Sequence, residues 1–242
     1  MQQMNVQLFI PCFVDQLYPT VGMNMVKVLR KAGCTVSYNP AQTCCGQPAF
    51  NAGFWEDAKD VCSKFLKDFE GDGFIVAPSA SCTGFVRNYY SKLFVGEESE
   101  EKLNAVTSRM YEFTEFMVKV LKVEDVGATF EAMATYHDSC AGLRECHIKQ
   151  EPRRLLANVA GLALREMNDV ETCCGFGGTF AVKFQSISSA MADQKVDNAH
   201  ATGAECIIST DVSCLMHIDG YAKKAGKPIR CLHIADVLSM GW

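Results

Sequence analysis

The chain has 242 residues, 48% of them hydrophobic and 21% charged, and its net charge is −5. A chain of this length and composition can bury a full globular core. Its mild negative charge, without a basic tract, argues against nucleic acid or an anionic membrane as the main partner.

No apolar run approaches the roughly 20 residues of a membrane span, and the first residues lack the basic segment of a signal peptide. We therefore expect a cytoplasmic protein without a membrane span. The chain nevertheless carries 13 cysteines. In a reducing compartment an odd number of cysteines predicts metal binding, redox chemistry or buried thiols instead of a disulfide framework.

The predicted elements alternate between strand and helix. In the first half, strands are predicted at residues 6–10, 35–38 and 74–77, and helices at 18–32 and 54–69. An acidic stretch, 96–101, and a predicted helix, 103–122, connect the halves. In the second half, strands are predicted at 133–136, 162–167, 206–209 and 229–232, and helices at 152–159, 187–202 and 234–240. This alternation predicts an α/β fold of βαβ units with parallel sheets.

The cysteines recur in the same order in the two halves. The sequence Thr-Cys-Cys-Gly occurs at residues 43–46 and again at 172–175. A single cysteine comes soon after the first predicted strand of each half, and another comes after the strand that follows the Cys-Cys pair. Three matching landmarks in one order predict a tandem duplication.

The duplication predicts two pseudo-symmetric lobes. We place the join near residues 123–129, which gives a first cysteine-rich half at 1–124 and a second at 125–242. We expect the two Cys-Cys-Gly loops to face each other across a shared cleft.

Every landmark cysteine follows a predicted strand. Ligands of open α/β sheets bind beyond the carboxyl ends of the strands, so the cysteines of each half should converge at one rim. Several also open helices, where the N-terminus lowers the pKa of a thiol. The predicted metal ligands are Cys12, Cys44, Cys45 and Cys82 in the first half and Cys140, Cys173, Cys174 and Cys214 in the second.

Four thiolates suit zinc or an iron–sulfur cluster. The side chains of adjacent cysteines tend to point apart, which makes it difficult for both to bind one small ion. A multi-iron cluster is wider, so the two thiolates can bind different irons. Gly46 and Gly175 let the backbone approach a bulky cofactor, and Gly177 and Gly178 add N–H donors. A redox disulfide, or a pair of core thiols, is the alternative for each Cys-Cys pair.

Three further residues near the cysteines are candidates for a catalytic role. His137 precedes Cys140, and His217 follows Cys214; each is a candidate ligand, proton donor or capping group, with a supporting role preferred. Arg144 can neutralise an anionic cluster or substrate, and a solvated surface arginine is the alternative.

These motifs resemble the cysteine-rich, or CCG-domain, family, which includes the B subunit of heterodisulfide reductase and iron–sulfur subunits of glycolate and glycerol-3-phosphate oxidation systems. The family pattern is a cysteine, a Cys-Cys pair often followed by Gly, and a final Cys-x-x-Cys. Here the last cysteine is missing in both halves, at residues 82–85 and 214–217. Four cysteines per half remain, enough for a [4Fe–4S] cluster but not for a five-cysteine cluster.

Residues 11–19, 173–180 and 233–238 resemble the branch of the family that acts in lactate utilisation. That resemblance implies an iron–sulfur subunit, with one or two clusters, of a cytoplasmic complex that oxidises L-lactate to pyruvate. It implies companion lactate-utilisation subunits, one of them a ferredoxin-like iron–sulfur protein. The lactate carboxylate would need a cation, for which Arg144 and Lys183 are candidates.

Two other functions stay open. One is a thiol–disulfide reductase module like the heterodisulfide reductase B subunit, which the shortened Cys-x-x-Cys motifs disfavour. The other is a docking scaffold whose cysteines hold zinc, in one half or both, or hold nothing.

Overall fold

Two four-stranded parallel sheets organise the chain. The computed structural model describes residues 4–95 and 100–242. The first sheet has the order β2-β1-β3-β4 and the second the order β6-β5-β7-β8. The strands of these sheets are β1 (Asn5–Leu8), β2 (Thr35–Tyr38), β3 (Phe74–Ala77), β4 (Met110–Glu112), β5 (Thr129–Tyr136), β6 (Ala160–Leu164), β7 (Cys206–Ser209) and β8 (Arg230–His233). The repeated strand order confirms the predicted α/β fold with two related lobes.

Helices connect these strands in matching positions. In the first lobe they are α1 (Cys12–Leu17), α2 (Pro19–Lys31), α3 (Gln47–Ala52), α4 (Trp55–Asp68), α5 (Ala80–Leu93), α6 (Glu100–Thr107) and α7 (Phe113–Glu115). In the second lobe they are α8 (Cys140–Arg144), α9 (Gln150–Leu156), α10 (Thr179–Lys183), α11 (Gln185–Ala201), α12 (Val212–Lys224) and α13 (Ile234–Leu238). Helix α6 is the only one of the described helices without a counterpart in the other lobe.

The strand sequences explain their places in the sheets. The central strands β3 and β7 read Phe-Ile-Val-Ala and Cys-Ile-Ile-Ser and are almost fully buried. Continuous apolar runs of this kind are typical of parallel strands that are covered on both faces. The edge strand β2 alternates Thr, Val, Ser and Tyr, and it is largely exposed.

The two lobes share one central core. Val6 and Leu8 from the first sheet belong to the same buried cluster as Ile208 from the second. The short C-terminal helix α13 packs on α2 of the first lobe, and its counterpart α7 packs on α9 of the second. This reciprocal exchange fixes the lobes against each other. No described helix is long and apolar enough to cross a membrane.

The predicted helix at residues 103–122 is wrong. Helix α6 ends at Thr107, strand β4 then joins the edge of the first sheet, and a π-helical segment, Phe116–Leu121, follows α7. The guanidinium of Arg109 donates hydrogen bonds to the carbonyls of Phe69 and Gly73, each at 2.6 Å, and so holds the turn before β4 against the sheet. These non-local bonds override a local pattern that favours a helix.

The other predicted elements are present, three of the strands with the predicted ends and the rest with shifted ends. Strand β5 begins four residues earlier than predicted, and β6 begins and ends earlier than its prediction. Of the acidic stretch 96–101, residues 96–99 lie outside the described part of the chain. The division into halves at residues 124 and 125 stays a prediction.

Candidate metal centre

The central strands of each sheet deliver cysteines to the same rim. Strands β1 and β5 lead into Cys12 and Cys140, which are the first residues of α1 and α8. Strands β3 and β7 lead into Cys82 and Cys214, each in the first turn of the next helix. The strand order reverses between β1 and β3 and between β5 and β7, and such switch points are where α/β sheets bind ligands.

The Cys-Cys pairs reach this rim through two left-handed glycines. Gly46 and Gly175 both have φ of +92°. The N–H of Gly46 donates to Sγ of Cys44, and that of Gly175 donates to Sγ of Cys173, both at 3.4 Å. A Cβ on Gly175 would lie 2.6 Å from the carbonyl oxygen of Ser188, so the loop excludes any larger residue there.

One cavity of about 430 Å³ opens between the lobes, as predicted for a shared cleft. All eight predicted cysteines line it: Cys12, Cys44, Cys45, Cys82, Cys140, Cys173, Cys174 and Cys214. In each set the first cysteine and the first member of the pair are partly exposed, whereas the other two are buried. The structure therefore brings two equivalent sets of thiols to one space.

Thiols of the first set interact in a row. Sγ of Cys12 lies 3.8 Å from Sγ of Cys44, and the Cys45 thiol interacts with both Cys44 and Cys82. Hydrogen bonds from Cys12, Cys45 and the Gly46 N–H lower the pKa of the Cys44 thiol far below its usual value. These hydrogen bonds favour deprotonation of Cys44 over the other thiols of this set.

The second set repeats this arrangement. Hydrogen bonds from Cys140, Cys174 and the Gly175 N–H lower the pKa of the Cys173 thiol far below its usual value. The Cys174 thiol also interacts with that of Cys214. Metal binding requires thiolates, and each set already favours deprotonation of one member.

His137 lies behind the second set and does not line the cavity. Its ring is fully buried, and burial together with the charge of Lys195 lowers its pKa to about 3. One of its ring nitrogens and the sulfurs of Cys174 and Cys214 all lie within 4.8 Å of one another. Burial thus disfavours the charged form of His137, and one of its ring nitrogens lies within 4.8 Å of two thiol sulfurs.

His217 supports the second Cys-Cys-Gly loop. The hydroxyl of Ser188 donates to the carbonyl of Gly175 at 2.8 Å, and Nε2 of His217 lies 3.1 Å from that hydroxyl. With the hydroxyl proton so engaged, Nε2 of His217 donates to Ser188. The ring of His217 also contacts the ring of Phe176 in the same loop.

Some of the remaining predicted residues line the cavity and one does not. Gly177, Gly178 and Arg144 line the cavity, so Arg144 is placed to meet an anion there. Lys183 is exposed and does not line it. The structure therefore brings Arg144, but not Lys183, to the thiols.

Two features of the site were not predicted. Ser79 caps helix α5, and Asp211 caps helix α12. The two residues form a β-bridge between the lobes, and the N–H of Ser81 donates to a carboxylate oxygen of Asp211 at 2.9 Å. Lys195 is buried on α11, and its ammonium donates to the carbonyl of Asp169 at 2.7 Å. A lysine in the apolar register of that helix was the available signal.

Paired sheets with a thiol set at each switch point define a cysteine-rich α/β protein. Residues 6–87 and 134–219 match the family described as "Cysteine-rich domain", and the chain belongs to that CCG family. The two matched segments correspond to the two lobes.

The chain is also similar to individual proteins of known sequence. It is 43% identical to "Lactate utilization protein A" of Geobacillus sp. (strain WCH70), over 98% of this chain and 99% of that one. It is 43% identical to "Lactate utilization protein A 2" of Bacillus cereus (strain 03BB102), with the same coverage of both chains.

Among solved structures, the fold resembles a hypothetical protein from Helicobacter pylori, with a TM-score of 0.62 and 11% identity. The match covers 98% of this chain but 49% of the other, so this chain spans about half the length of that protein. At this identity the likeness concerns the fold alone.

Proposed function

We propose that this chain is an iron–sulfur subunit of a cytoplasmic complex that oxidises L-lactate to pyruvate. The observation that carries the proposal is the convergence of eight thiols, in two equivalent sets, on one cavity. Near-full-length identity of 43% to proteins named for lactate utilisation supports lactate as the substrate in this proposal. The letter A in those names supports companion proteins, for which we propose a ferredoxin-like iron–sulfur subunit.

The spacing of the sulfurs supports a cluster over a single zinc ion in the first set. Tetrahedral zinc, about 2.3 Å from each sulfur, needs every pair of sulfurs about 3.8 Å apart. Cys12 and Cys44 meet that separation, but no three of the four sulfurs lie mutually within 4.8 Å among the described residues. The first set is therefore not a preformed tetrahedral zinc site, and we assign its adjacent cysteines to different irons of a [4Fe–4S] centre.

The protein's own residues have three tasks in this proposal. The eight cysteines hold the clusters, and the glycine N–H groups at residues 46 and 175 donate to the first sulfur of each pair. Such donors tune the potential of a cluster, which takes up and releases single electrons. Arg144, which lines the cavity, would bind the carboxylate of lactate there.

Metal analysis tests the cluster. The protein is purified under strict exclusion of oxygen, and iron, acid-labile sulfide and zinc are measured per chain. About four iron and four sulfide for each occupied set, with little zinc, is the expected result. Stoichiometric zinc without sulfide would refute the cluster and favour the scaffold function.

Single substitutions then test the ligands. Cys173→Ser and Cys174→Ser should each remove the iron and sulfide of the second set and leave the first set loaded. Cys231→Ser is the matched control, because Cys231 lies on β8 and does not line the cavity. Full iron and sulfide in both Cys173→Ser and Cys174→Ser would contradict the assignment.

Activity tests the substrate. The loaded protein combined with its companion subunits should reduce an artificial electron acceptor with L-lactate and form pyruvate. Reduction of disulfides in place of lactate oxidation would favour the thiol–disulfide module instead.

A further inference from the structure

His137 occupies the same backbone position in the second lobe that Phe9 occupies in the first. Each lies three residues before the first cysteine of its set. The N–H of Phe9 donates to the carbonyl of Val76 at 3.0 Å, and that of His137 donates to the carbonyl of Ile208 at 2.8 Å. Both side chains are fully buried, so the duplication places an apolar ring and a basic ring in equivalent pockets.

The residue on the neighbouring helix that backs this position also changes from apolar to basic between the first lobe and the second. Phe9 packs edge to face on Phe65 of α4, with the ring centres 4.8 Å apart. Along α4 and α11, Ala58 and Ser188 both lie under the loop glycine, which makes Lys195 the counterpart of Phe65. The aromatic pair behind the first thiol set is therefore a histidine and a lysine behind the second.

Both ring nitrogens of His137 lack a hydrogen-bond partner among the described residues. Leaving a buried polar atom unpaired costs about 1–3 kcal/mol, and at least nine in ten such atoms have a partner. Lys195 is not a hydrogen-bond partner of His137, because its ammonium donates to the carbonyls of Asp169 and Val170. The imidazole is thus held beside the thiols with its nitrogens unsatisfied.

The sulfurs of Cys174 and Cys214 are the ligand atoms that meet this ring. These two sulfurs and one nitrogen of His137 lie within 4.8 Å of one another, so a metal centre held by either sulfur comes within reach of the ring. We propose that His137 is a nitrogen ligand of the metal centre in the second lobe. The second centre is then a mixed nitrogen and sulfur site, whereas the first is held by sulfur alone.

This inference rests on the proposed function, since it requires a metal in the second set. The test uses the full chain labelled with ¹⁵N-histidine, loaded with iron and sulfide without oxygen, and reduced for pulsed electron paramagnetic resonance. Wild-type protein should show a strong histidine nitrogen coupling, and His137→Phe should lose it together with part of its iron. His200→Phe is the control, because His200 lies at the far end of α11 and should leave the coupling unchanged.

Phenylalanine is the natural residue at the equivalent position, so His137→Phe should fold. Unfolding of the metal-free variant is measured beside the wild type to establish this, and His137→Cys should rebind iron without nitrogen coupling.

The outcomes separate the two claims. A wild-type protein with full iron and no strong nitrogen coupling, or a coupling that survives in His137→Phe, would overturn the ligand role and leave the proposed function intact. A protein that binds neither iron nor zinc would refute the proposed function and the ligand role together. Zinc that the wild type holds and His137→Phe loses would support the ligand role and refute the cluster.

Discussion

The left-handed glycine of the second Cys-Cys-Gly loop provides a stability test of the site's geometry. Gly175→Ala places a Cβ at a residue with φ of +92°, which costs about 1–2 kcal/mol. The same Cβ would lie 2.6 Å from the backbone oxygen of Ser188, and crowding of this kind costs about 1–3 kcal/mol. Alanine also stiffens the unfolded chain, which returns about 0.4–1 kcal/mol.

The net loss expected for Gly175→Ala is therefore about 1–5 kcal/mol. For a chain of this size, 1 kcal/mol lowers the melting temperature by about 2–4 °C, so a fall of roughly 2–20 °C follows. Gly53→Ala is the matched control, because Gly53 has φ of +89° but nothing lies within 4 Å of its added Cβ. That variant should lose about 0–2 kcal/mol, since the left-handed cost is opposed by the stiffening of the unfolded chain and no crowding is added.

Gly46→Ala tests the duplicated loop in the first lobe. The added Cβ would lie 3.0 Å from Sγ of Cys62 and 3.2 Å from the oxygen of Ala58. The loss of stability in Gly46→Ala should therefore fall between those of Gly53→Ala and Gly175→Ala. Thermal unfolding of the metal-free, reduced variants measures all three. If Gly175→Ala were no more destabilising than Gly53→Ala, the close approach of the Gly175 loop to α11 would be refuted.

Two buried acids give further predictions. Burial raises the pKa of Glu112 to about 8, above its ordinary value of 4.5, so its contribution to stability is complete below about pH 4.5 and is lost as pH rises to about 8. Glu112→Gln should therefore gain stability relative to wild type between pH 5.5 and 8 in urea unfolding, and a constant difference would contradict this. Asp138 forms two hydrogen bonds with the guanidinium of Arg153, at 2.9 and 2.8 Å, and Arg153→Met should cost about 3–5 kcal/mol because the buried carboxylate loses its partner. Asp138→Asn in the same chain should recover much of that loss; equal destabilisation in both variants would refute the pairing argument.

The sequence predicts the thiol sets well because two independent patterns agree. The strand-end rule places Cys12 and Cys82 at one rim, and the duplication places Cys140 and Cys214 at the other. The convergence of both sets on one cavity depends on the packing of α13 on α2 and of α7 on α9, which no local pattern encodes.

Elements that depend on distant partners were the ones missed. Residues 110–112 form β4 only because Ile75, Val76 and Ala77 offer a free sheet edge, whereas their local sequence continues a helical pattern. The role of Lys195 was also missed: its place in the apolar register of the helix indicated burial, but only the fold shows that it lies behind the thiols.

The two sets of thiols differ in the residues that lie behind them. The first set is backed by the apolar pair Phe9 and Phe65, and the N–H of Gly46 donates to the sulfur of Cys44. The second set is backed by His137 and by the buried ammonium of Lys195, whose charge acts on the thiols of Cys173 and Cys174. A buried cation stabilises added negative charge more than an apolar ring does, because the low-dielectric interior screens it little. On the proposed function, added electrons are therefore held more favourably in the second lobe than in the first.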